Sequence, residues 1–338
     1  MKRIKYTSRR QLIFCSYLTV LLFLVFTGAS FAQDDSTAVA TQTDAPVPMK
    51  HKPVKNTFNS VWIFDDQTVM VPVKGTFEAD IQHRFGTVEN GAKDVWGIYA
   101  QANMRIGFNY SPIKNLYLGF GLANVTNKLQ WDGSAKYAII KQTTAKYPVS
   151  ITYYGNIGYK STPDPDHFLF TYQTERLSFF NELLIARKVS DKFSVQVGAS
   201  ISHQNSVPGY YAQKDTTTFV YKKQKFDMFT ASVCARYQLT EVTTLIVDYD
   251  QPLTRFPTDN PHPNLAFGFE FNTSGHTFQL FAGNYSLLSP QQNSLHNANN
   301  PFGFTQRSDL NPLTQTPGEK IKGGQFLIGF NITRLWNF

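Results

Sequence analysis

A strict alternation of side chains is the feature that most limits what this chain can fold into. Between Trp96 and Tyr110 every even position carries an apolar or aromatic residue, and the odd positions carry mostly polar or small ones. Successive side chains of a β-strand point to opposite faces, so this segment predicts a strand with one apolar and one polar face. The apolar face would meet a core in a soluble sandwich or lipid in a transmembrane barrel, and one strand does not separate the two.

The same alternation recurs along the chain and predicts about twelve strands. The sixth is long and changes phase between Thr174 and Arg176, which predicts a β-bulge. The predicted strands cover residues 75–86, 95–110, 116–126, 134–143, 148–159, 167–188, 193–203, 225–239, 243–251, 264–272, 276–286 and 321–338.

The lengths of the connections favour the barrel over the sandwich. Short turns, such as residues 111–115 and 240–242, alternate with long loops at 204–224, 252–263 and 287–320 that are rich in Asn, Gln, Thr and Pro. Outer-membrane barrels have short periplasmic turns and long external loops. The sequence therefore predicts an all-β fold, a transmembrane antiparallel β-barrel with up-and-down topology in the cell outer membrane. An even strand number places the C-terminus and the N-terminal linker in the periplasm.

The first 32 residues are typical of a signal peptide. A basic start precedes the apolar run from Leu12 to Phe26, and Ser30-Phe31-Ala32 offers small residues for cleavage before Gln33. An uncleaved anchor helix is the alternative. Residues 33–56 contain few large apolar side chains and predict a disordered periplasmic linker. Residues 57–338 form the barrel domain.

Net charge and cysteine content limit the binding partners and the disulfides that this chain can have. The signal peptide carries five of the 32 basic residues and no acidic one, so the mature chain has 27 basic and 24 acidic residues, a net charge of +3. That balance does not favour nucleic acid as a partner. Cys234 is the one cysteine after the signal peptide, so we expect no intramolecular disulfide and a buried, inert thiol. The expected partners are outer-membrane lipid and, during biogenesis, the barrel-assembly machinery.

The C-terminus resembles the β-signal by which that machinery recognises its substrates. The chain ends on Phe338, and Trp336 and Phe330 lie in phase behind it. We expect deletion of Phe338 to impair insertion, because its ring completes the apolar face of the last strand. Loss of the heat-modifiable band of the folded barrel from the membrane fraction would show this, and a normal band would contradict it.

No motif for enzyme chemistry is present in the sequence. It has no haem-attachment, nucleophile-elbow, P-loop or zinc-protease pattern, and the seven histidines are dispersed without metal-ligand spacing. We therefore predict no catalytic residue, no metal and no cofactor. His203 and His262 lie near predicted outer loops, which leaves a hydrolase at the outer rim as a third functional hypothesis.

Charged residues on the polar face of the strands are the candidate lumen-lining set. A charged group inside a barrel wall must face water or a partner. Such residues either cross-link opposite walls of a narrow barrel or line a polar pore, where the majority of carboxylates would favour cations. They are Glu78, Asp80, Arg84, Arg105, Glu182, Arg236, Asp248 and Glu270. The same phase places Gln196 inward, where we expect an arginine to be tolerated.

Several short motifs together resemble a known family. His83-Arg84-Phe85-Gly86 closes the first strand, and Arg105-Ile106-Gly107, Lys136-Tyr137 and Pro148-Val149-Ser150 follow. In this order they are similar to a family of membrane-bound β-barrel domains of unknown function from Gram-negative bacteria. The resemblance covers residues 57–338 and implies an outer-membrane barrel, with no activity or catalytic residues to transfer. His83 falls on the lipid face, as a girdle residue or as a ligand or lipid site.

Three functions follow from these observations. The first is a non-enzymatic porin-like channel, or a barrel that binds and transports small solutes. The second is a structural or partner-docking barrel with a closed lumen, and the third is the rim hydrolase. A short apolar patch, Val61–Phe64, precedes the first strand and is a candidate for docking against the inner rim of the barrel, which the sequence alone does not decide.

Overall fold

The structure is a computed structural model. It describes residues 52–55, 57–125, 128–165, 170–207, 209–215, 218–222, 224–257, 260–303, 305–307 and 320–337. The predicted signal peptide, most of the predicted linker and Phe338 lie outside the described residues. Within the described residues, no helix is long and apolar enough to span a membrane.

Twelve antiparallel strands close into one barrel. Each strand pairs with the next barrel strand along the chain, and the last pairs with the first to close the ring. The barrel strands are β3 (Thr76–Thr87), β4 (Asn103–Tyr110), β5 (Leu116–Val125), β6 (Lys128–Ile140), β7 (Ser150–Lys160), β8 (Leu177–Lys188), β9 (Phe193–Gln204), β12 (Asp227–Gln238), β13 (Thr243–Pro252), β14 (Asn264–Asn272), β15 (His276–Gly283) and β18 (Leu327–Asn337).

The remaining elements lie inside the barrel or in its long loops. A short hairpin precedes the barrel, and two more hairpins and one helix belong to loops. They are β1 (Trp62–Ile63) with β2 (Asp66–Gln67), β10 (Tyr210–Gln213) with β11 (Phe219–Lys222), α1 (Pro290–His296), and β16 (Thr305–Arg307) with β17 (Lys320–Lys322).

The prediction of a twelve-stranded up-and-down barrel is confirmed, and four strands begin six or more residues from their predicted starts. The second barrel strand begins at Asn103, because Val88–Lys93 forms a kinked 3₁₀ segment and residues 94–99 form a turn instead of extended chain. Gly97 has a φ of 83°, and a Cβ there would lie 2.2 Å from the Gly86 carbonyl oxygen, so the apolar positions from Trp96 to Ala102 belong to a compact loop.

The other three differences concern β6, β8 and β18, and the last of these begins at Leu327 instead of at the predicted 321. The phase change predicted as a bulge is a 3₁₀ turn over Gln173–Arg176, and β8 starts only after it, at Leu177. In contrast, β6 begins at Lys128, six residues earlier than the predicted start at 134. A register shift between Ala138 and Ile140 lies near its end.

The two faces of the wall divide as the alternation predicts. Outward positions of the strands are apolar and exposed on the isolated chain, whereas inward positions are buried. The outward set includes Ile81, Met104, Phe108, Leu118, Phe120, Ile157, Leu183, Phe229, Leu245, Val247, Phe267, Phe269, Phe271, Phe278 and Leu280. This belt is the surface that meets lipid in a membrane barrel.

We expect Phe269→Arg to destabilise the barrel by roughly 2–4 kcal/mol, the cost of arginine on the lipid face near the bilayer midplane. Phe269 is 43% exposed on the isolated chain and pairs with Leu245 and Leu280 in neighbouring strands. Reversible unfolding in lipid or detergent measures the cost. Glu241→Arg, in an exposed turn, is the matched control and should change stability little; equal costs for both variants would contradict the assignment of the faces.

Candidate functional site in the barrel interior

The N-terminal segment folds into the barrel from its short-turn end. Pro53 forms a β-bridge with Thr143, and the Val54 N–H donates to the Gln142 carbonyl at 2.7 Å on that rim. The chain then enters the lumen as residues 57–72, here called the plug. It turns back at the tip of the β1–β2 hairpin and leaves toward β3.

The apolar side of the plug packs on the inside of the wall. Phe58, Ile63, Phe64 and Val69 form one buried cluster with inward side chains of several strands. The Phe64 and Phe281 rings lie 4.2 Å apart between centroids. The wall members of the cluster are Leu184, Ala186, Cys234, Ile246, Ala266 and Phe281. The apolar patch expected at the inner rim therefore lies within the lumen.

Polar wall side chains bind the backbone of the plug. Buried backbone groups need partners, and a two-stranded hairpin leaves most of its own unpaired. The bonds run from Gln279 Nε2 to Trp62 O (2.7 Å), Asn331 Nδ2 to Phe64 O (2.7 Å), Gln196 Nε2 to Gln67 O (2.7 Å), Val69 N to Gln196 Oε1 (2.9 Å) and Lys136 Nζ to Thr68 O (3.2 Å). Because Gln196 is fully buried in this contact, the expectation that it tolerates arginine is wrong.

Arg84 anchors the hairpin tip to β18. Its guanidinium donates to Asp65 Oδ1 at 2.6 Å and to Asn331 Oδ1 at 2.9 Å, and lies over the Phe281 ring at 4.6 Å. Arg84 is fully buried, so the Asp65 carboxylate balances its charge away from water.

Arg105, on β4, links β3 and β6 through a buried ion-pair cluster. Its guanidinium binds Asp132 with two bonds, of 2.8 and 2.9 Å, and binds Asp80 with one of 2.8 Å. It also lies 5.2 Å from the Trp62 ring of the plug. Gly121 leaves room for it, since a Cβ there would lie 2.2 Å from Arg105 Nη2.

The structure places all eight sequence-predicted lumenal residues inside the barrel, in separate groups. Asp80 belongs to the Arg105 cluster, and Arg84 binds the plug. Glu78 lies next to Asp80 and Lys136. Glu270 accepts from Gln279 at 3.0 Å, and Arg236 donates to Asn59 of the plug at 3.2 Å. The last two, Glu182 and Asp248, lie in an acidic group described next.

Carboxylates concentrate where the plug meets β13. Asp66 of the plug faces the carboxyl groups of Asp248 and Asp250, and Glu182 lies close by. Cys234 is buried, as predicted, and its thiol donates to Asp248 Oδ1 at 3.1 Å. Burial, together with the facing carboxylates, raises the pKa of Asp66 well above its usual range.

A folded loop closes the other end of the barrel. Residues 284–299, here called the cap, include α1, and they bind the wall through amide side chains: Gln291 Nε2 donates to Asn156 Oδ1 at 2.7 Å. Asn297 Nδ2 donates to Asn264 Oδ1 at 2.8 Å. Residues of the cap and of the plug tip line the same two small cavities, so the two segments meet inside the lumen.

A cavity of about 410 Å³ opens beside the cap at the long-loop end. Amide and hydroxyl groups dominate its lining, and we call it the vestibule. Its polar lining comes from Thr87, Gln101, Asn103, Asn284, Tyr285, Ser286, Asn293, His296, Asn297, Asn299, Lys322 and Gln325. A concave site with converging polar groups is the usual place for a small ligand.

The vestibule lining does not include the three histidines singled out from the sequence. His83 faces outward and stacks on Phe330 at 5.1 Å between centroids. Both ring nitrogens of His203 are engaged, by Asp227 at 2.7 Å and Asn205 at 3.0 Å. The backbone N–H of His262 donates to the Asn297 carbonyl at 2.7 Å, next to the cap.

Residues 58–336 match the family model of the membrane bound beta barrel domain, DUF5777. The chain belongs to this family. The resemblance found in the sequence is thereby confirmed, and the DUF5777 barrel is a membrane protein. A search of curated proteins found no match.

Solved outer-membrane channels are similar to the DUF5777 barrel in fold. The KdgM porin is 9% identical, with 76% of this chain and 98% of that chain covered at a TM-score of 0.42. The NanC porin is 8% identical, with 78% and 99% covered at 0.40. The Pseudomonas putida toluene transporter TodX is 9% identical, with 80% and 91% covered at 0.34.

Several of the groups that fill the DUF5777 barrel were not predicted from the sequence. Asp132 was missed because the predicted strand began after it, and Lys136 because it entered only as part of a motif. The plug residue Asp66 lay outside every predicted strand. The one available signal for the plug was the apolar patch Val61–Phe64, which has no place in a solvated linker.

Proposed function

We propose that this protein is a non-enzymatic transport barrel of the bacterial outer membrane with a gated lumen. The long-loop end faces outward, and the vestibule receives small polar solutes there. The plug closes the path beneath it and admits solute to the periplasm only when it moves.

The vestibule is the observation that carries this proposal. A barrel with only a mechanical role has no reason to keep an open, polar cavity of about 410 Å³ beside its cap. Its lining holds many amide and hydroxyl groups but few charged side chains, among them Lys322. Such groups both donate and accept hydrogen bonds, so they suit neutral solutes that carry hydroxyl or amide groups.

The way the plug is held also supports gating. Its polar contacts run mainly from flexible wall side chains to its backbone, and water can replace such partners when the hairpin moves. The strand ladder of the wall does not take part in these bonds, so the plug can leave without opening the barrel.

A closed structural barrel is the second candidate. The buried apolar cluster around Phe64 and Phe281 favours it, because a permanent plug is expected to bury apolar surface against the wall. The two functions predict different solute fluxes, because a gated transport barrel passes solute and a permanently closed barrel does not.

The test is uptake of small neutral solutes by proteoliposomes. We expect uptake above that of empty vesicles, and Gln101→Trp should lower it because the indole fills part of the vestibule. Tyr99→Trp is the matched control, since Tyr99 lies in the same loop, is 82% exposed and does not line the vestibule. Equal flux in wild type and both variants would contradict the vestibule as the entry site.

A further inference from the structure

One of the two small cavities named above lies where plug, wall and cap meet. It measures about 10 Å³, which is room for one water-sized sphere. Asp66 comes from the plug, Glu182 and Asp250 from β8 and β13, and Asn293 from the cap. Three parts of the molecule that are far apart in sequence therefore contribute polar side chains to the lining of one small space.

The charge around this cavity is negative. Asp66 lies beside Asp250, and a negative charge on Glu182 repels a negative charge on either of them. Arg84, a nearby base, is already engaged by Asp65 at 2.6 Å. The positive charge of Lys136 attracts Glu182, but the ammonium group donates its hydrogen bonds to two backbone carbonyls of the plug, at 3.2 and 3.3 Å. Buried carboxylates are stable only with a proton, a counter-charge or a metal ion.

Unpartnered polar side chains are a second, independent observation. Asn293 is 3% exposed, and neither atom of its amide has a hydrogen-bond partner among the described residues. The hydroxyl of Thr230, also 3% exposed, has none in the same part of the chain. Both side chains line this cavity. Buried polar atoms are nearly always bonded, so the Thr230 hydroxyl and the Asn293 amide, which also lines the vestibule, are available to a ligand in this cavity.

We propose that the cavity binds one hard divalent cation of the calcium class and that this ion joins the plug to the wall and the cap. Its ligands are the carboxylates of Asp66, Glu182 and Asp250, the amide oxygen of Asn293 and the hydroxyl of Thr230. Calcium takes six to eight oxygen ligands in flexible geometry. Magnesium keeps several waters, for which this cavity has no room.

A softer metal would use a neighbouring set of atoms. Asp66, Asp248 and Cys234 offer ligand atoms within 4.8 Å of one another, and the thiolate would favour zinc. This alternative shares only Asp66 with the oxygen site. Variants of Cys234 and Asp250 therefore separate the two.

The experiment uses the full-length barrel, purified in detergent without chelator and then exchanged into Ca²⁺ or EDTA. We expect one Ca²⁺ per chain by elemental analysis and a higher melting temperature with Ca²⁺ than with EDTA. Asp250→Asn should weaken Ca²⁺ binding at least about tenfold and remove the calcium-dependent shift. Asp191→Asn, on a side chain fully exposed in a turn, is the matched control.

A direct probe keeps the proposal testable if Asp250→Asn does not fold. Tb³⁺ replaces Ca²⁺ at oxygen sites, and Tyr285 lines the cavity, so light absorbed by tyrosine should excite bound Tb³⁺ in the wild type. Added Ca²⁺ should quench that emission. No bound ion and no calcium-dependent stability in the wild type would overturn the proposal, as would Zn²⁺ binding that is lost in Cys234→Ser without any Ca²⁺ binding.

Discussion

Arg105→Met is expected to lower the free energy of unfolding by about 3–5 kcal/mol, the usual cost of breaking a buried ion pair by removing one partner. Asp80 and Asp132 would remain buried, at 1% and 8% side-chain exposure, without the guanidinium that binds both. The methionine retains most of the apolar volume, so the loss measures charge and hydrogen bonding more than a cavity. Reversible urea unfolding in lipid vesicles is the measurement.

A charge-free version of the cluster is the control. Asp80→Asn and Asp132→Asn combined with Arg105→Met remove all three charges, and apolar or neutral replacements of a buried ion cluster are often close to neutral. We expect the triple variant to regain most of the stability that the single variant loses. A single variant as stable as the wild type would show that the cluster is open to water.

The sequence predicted the wall of this barrel well for a physical reason. A membrane strand must satisfy its backbone through its neighbours and must alternate between lipid and lumen, so the alternation is written into every strand. Phe267, Phe269 and Phe271 show this pattern, and their outward positions agree with it. The asymmetry between short turns and long loops also predicts the direction in which each strand crosses the membrane.

The contents of the lumen were not predictable from the sequence in the same way. Period two identifies the inward face but not the partner of an inward side chain, and Gln196 is the example. Its phase was correct, but it binds two backbone groups of the plug instead of lumenal water. Contacts of this kind join residues far apart in sequence, such as Gln196 and Val69, and no local pattern records them.

The cap was hidden for a related reason. Residues 287–299 were predicted as part of a polar external loop, because Asn, Gln and Ser are typical of loops. The same amides can satisfy buried polar groups, as Gln291 does with Asn156. Composition alone does not distinguish an amide side chain in solvent from one inside a barrel. The contacts between the cap and the inner wall were therefore seen only in the structure.

Deletion of the plug, residues 57–72, is expected to change the barrel from nearly non-conducting to steadily conducting in planar bilayers. The plug occupies the lumen and supports the cap from below, so its removal opens the short-turn end and loosens the other. Buried wall charges would then line water, and carboxylates outnumber bases among them. They are Glu78, Asp80, Asp132, Glu182, Asp248, Asp250 and Glu270 against Arg84, Arg105, Lys136 and Arg236.

That excess makes the opened lumen cation-selective, because low-dielectric walls focus the field of the fixed charges along the pore. Reversal potentials in a salt gradient measure the selectivity. Deletion of residues 36–51, an equally long piece of the predicted linker, is the control and should leave conductance at the wild-type level. If the plug deletion stays closed, a second variant should also replace most of the cap, residues 288–299, with a short Gly-Ser linker. A folded barrel that lacks both segments and still passes no ions would show that its wall side chains close it, which would exclude the gated transport proposed above.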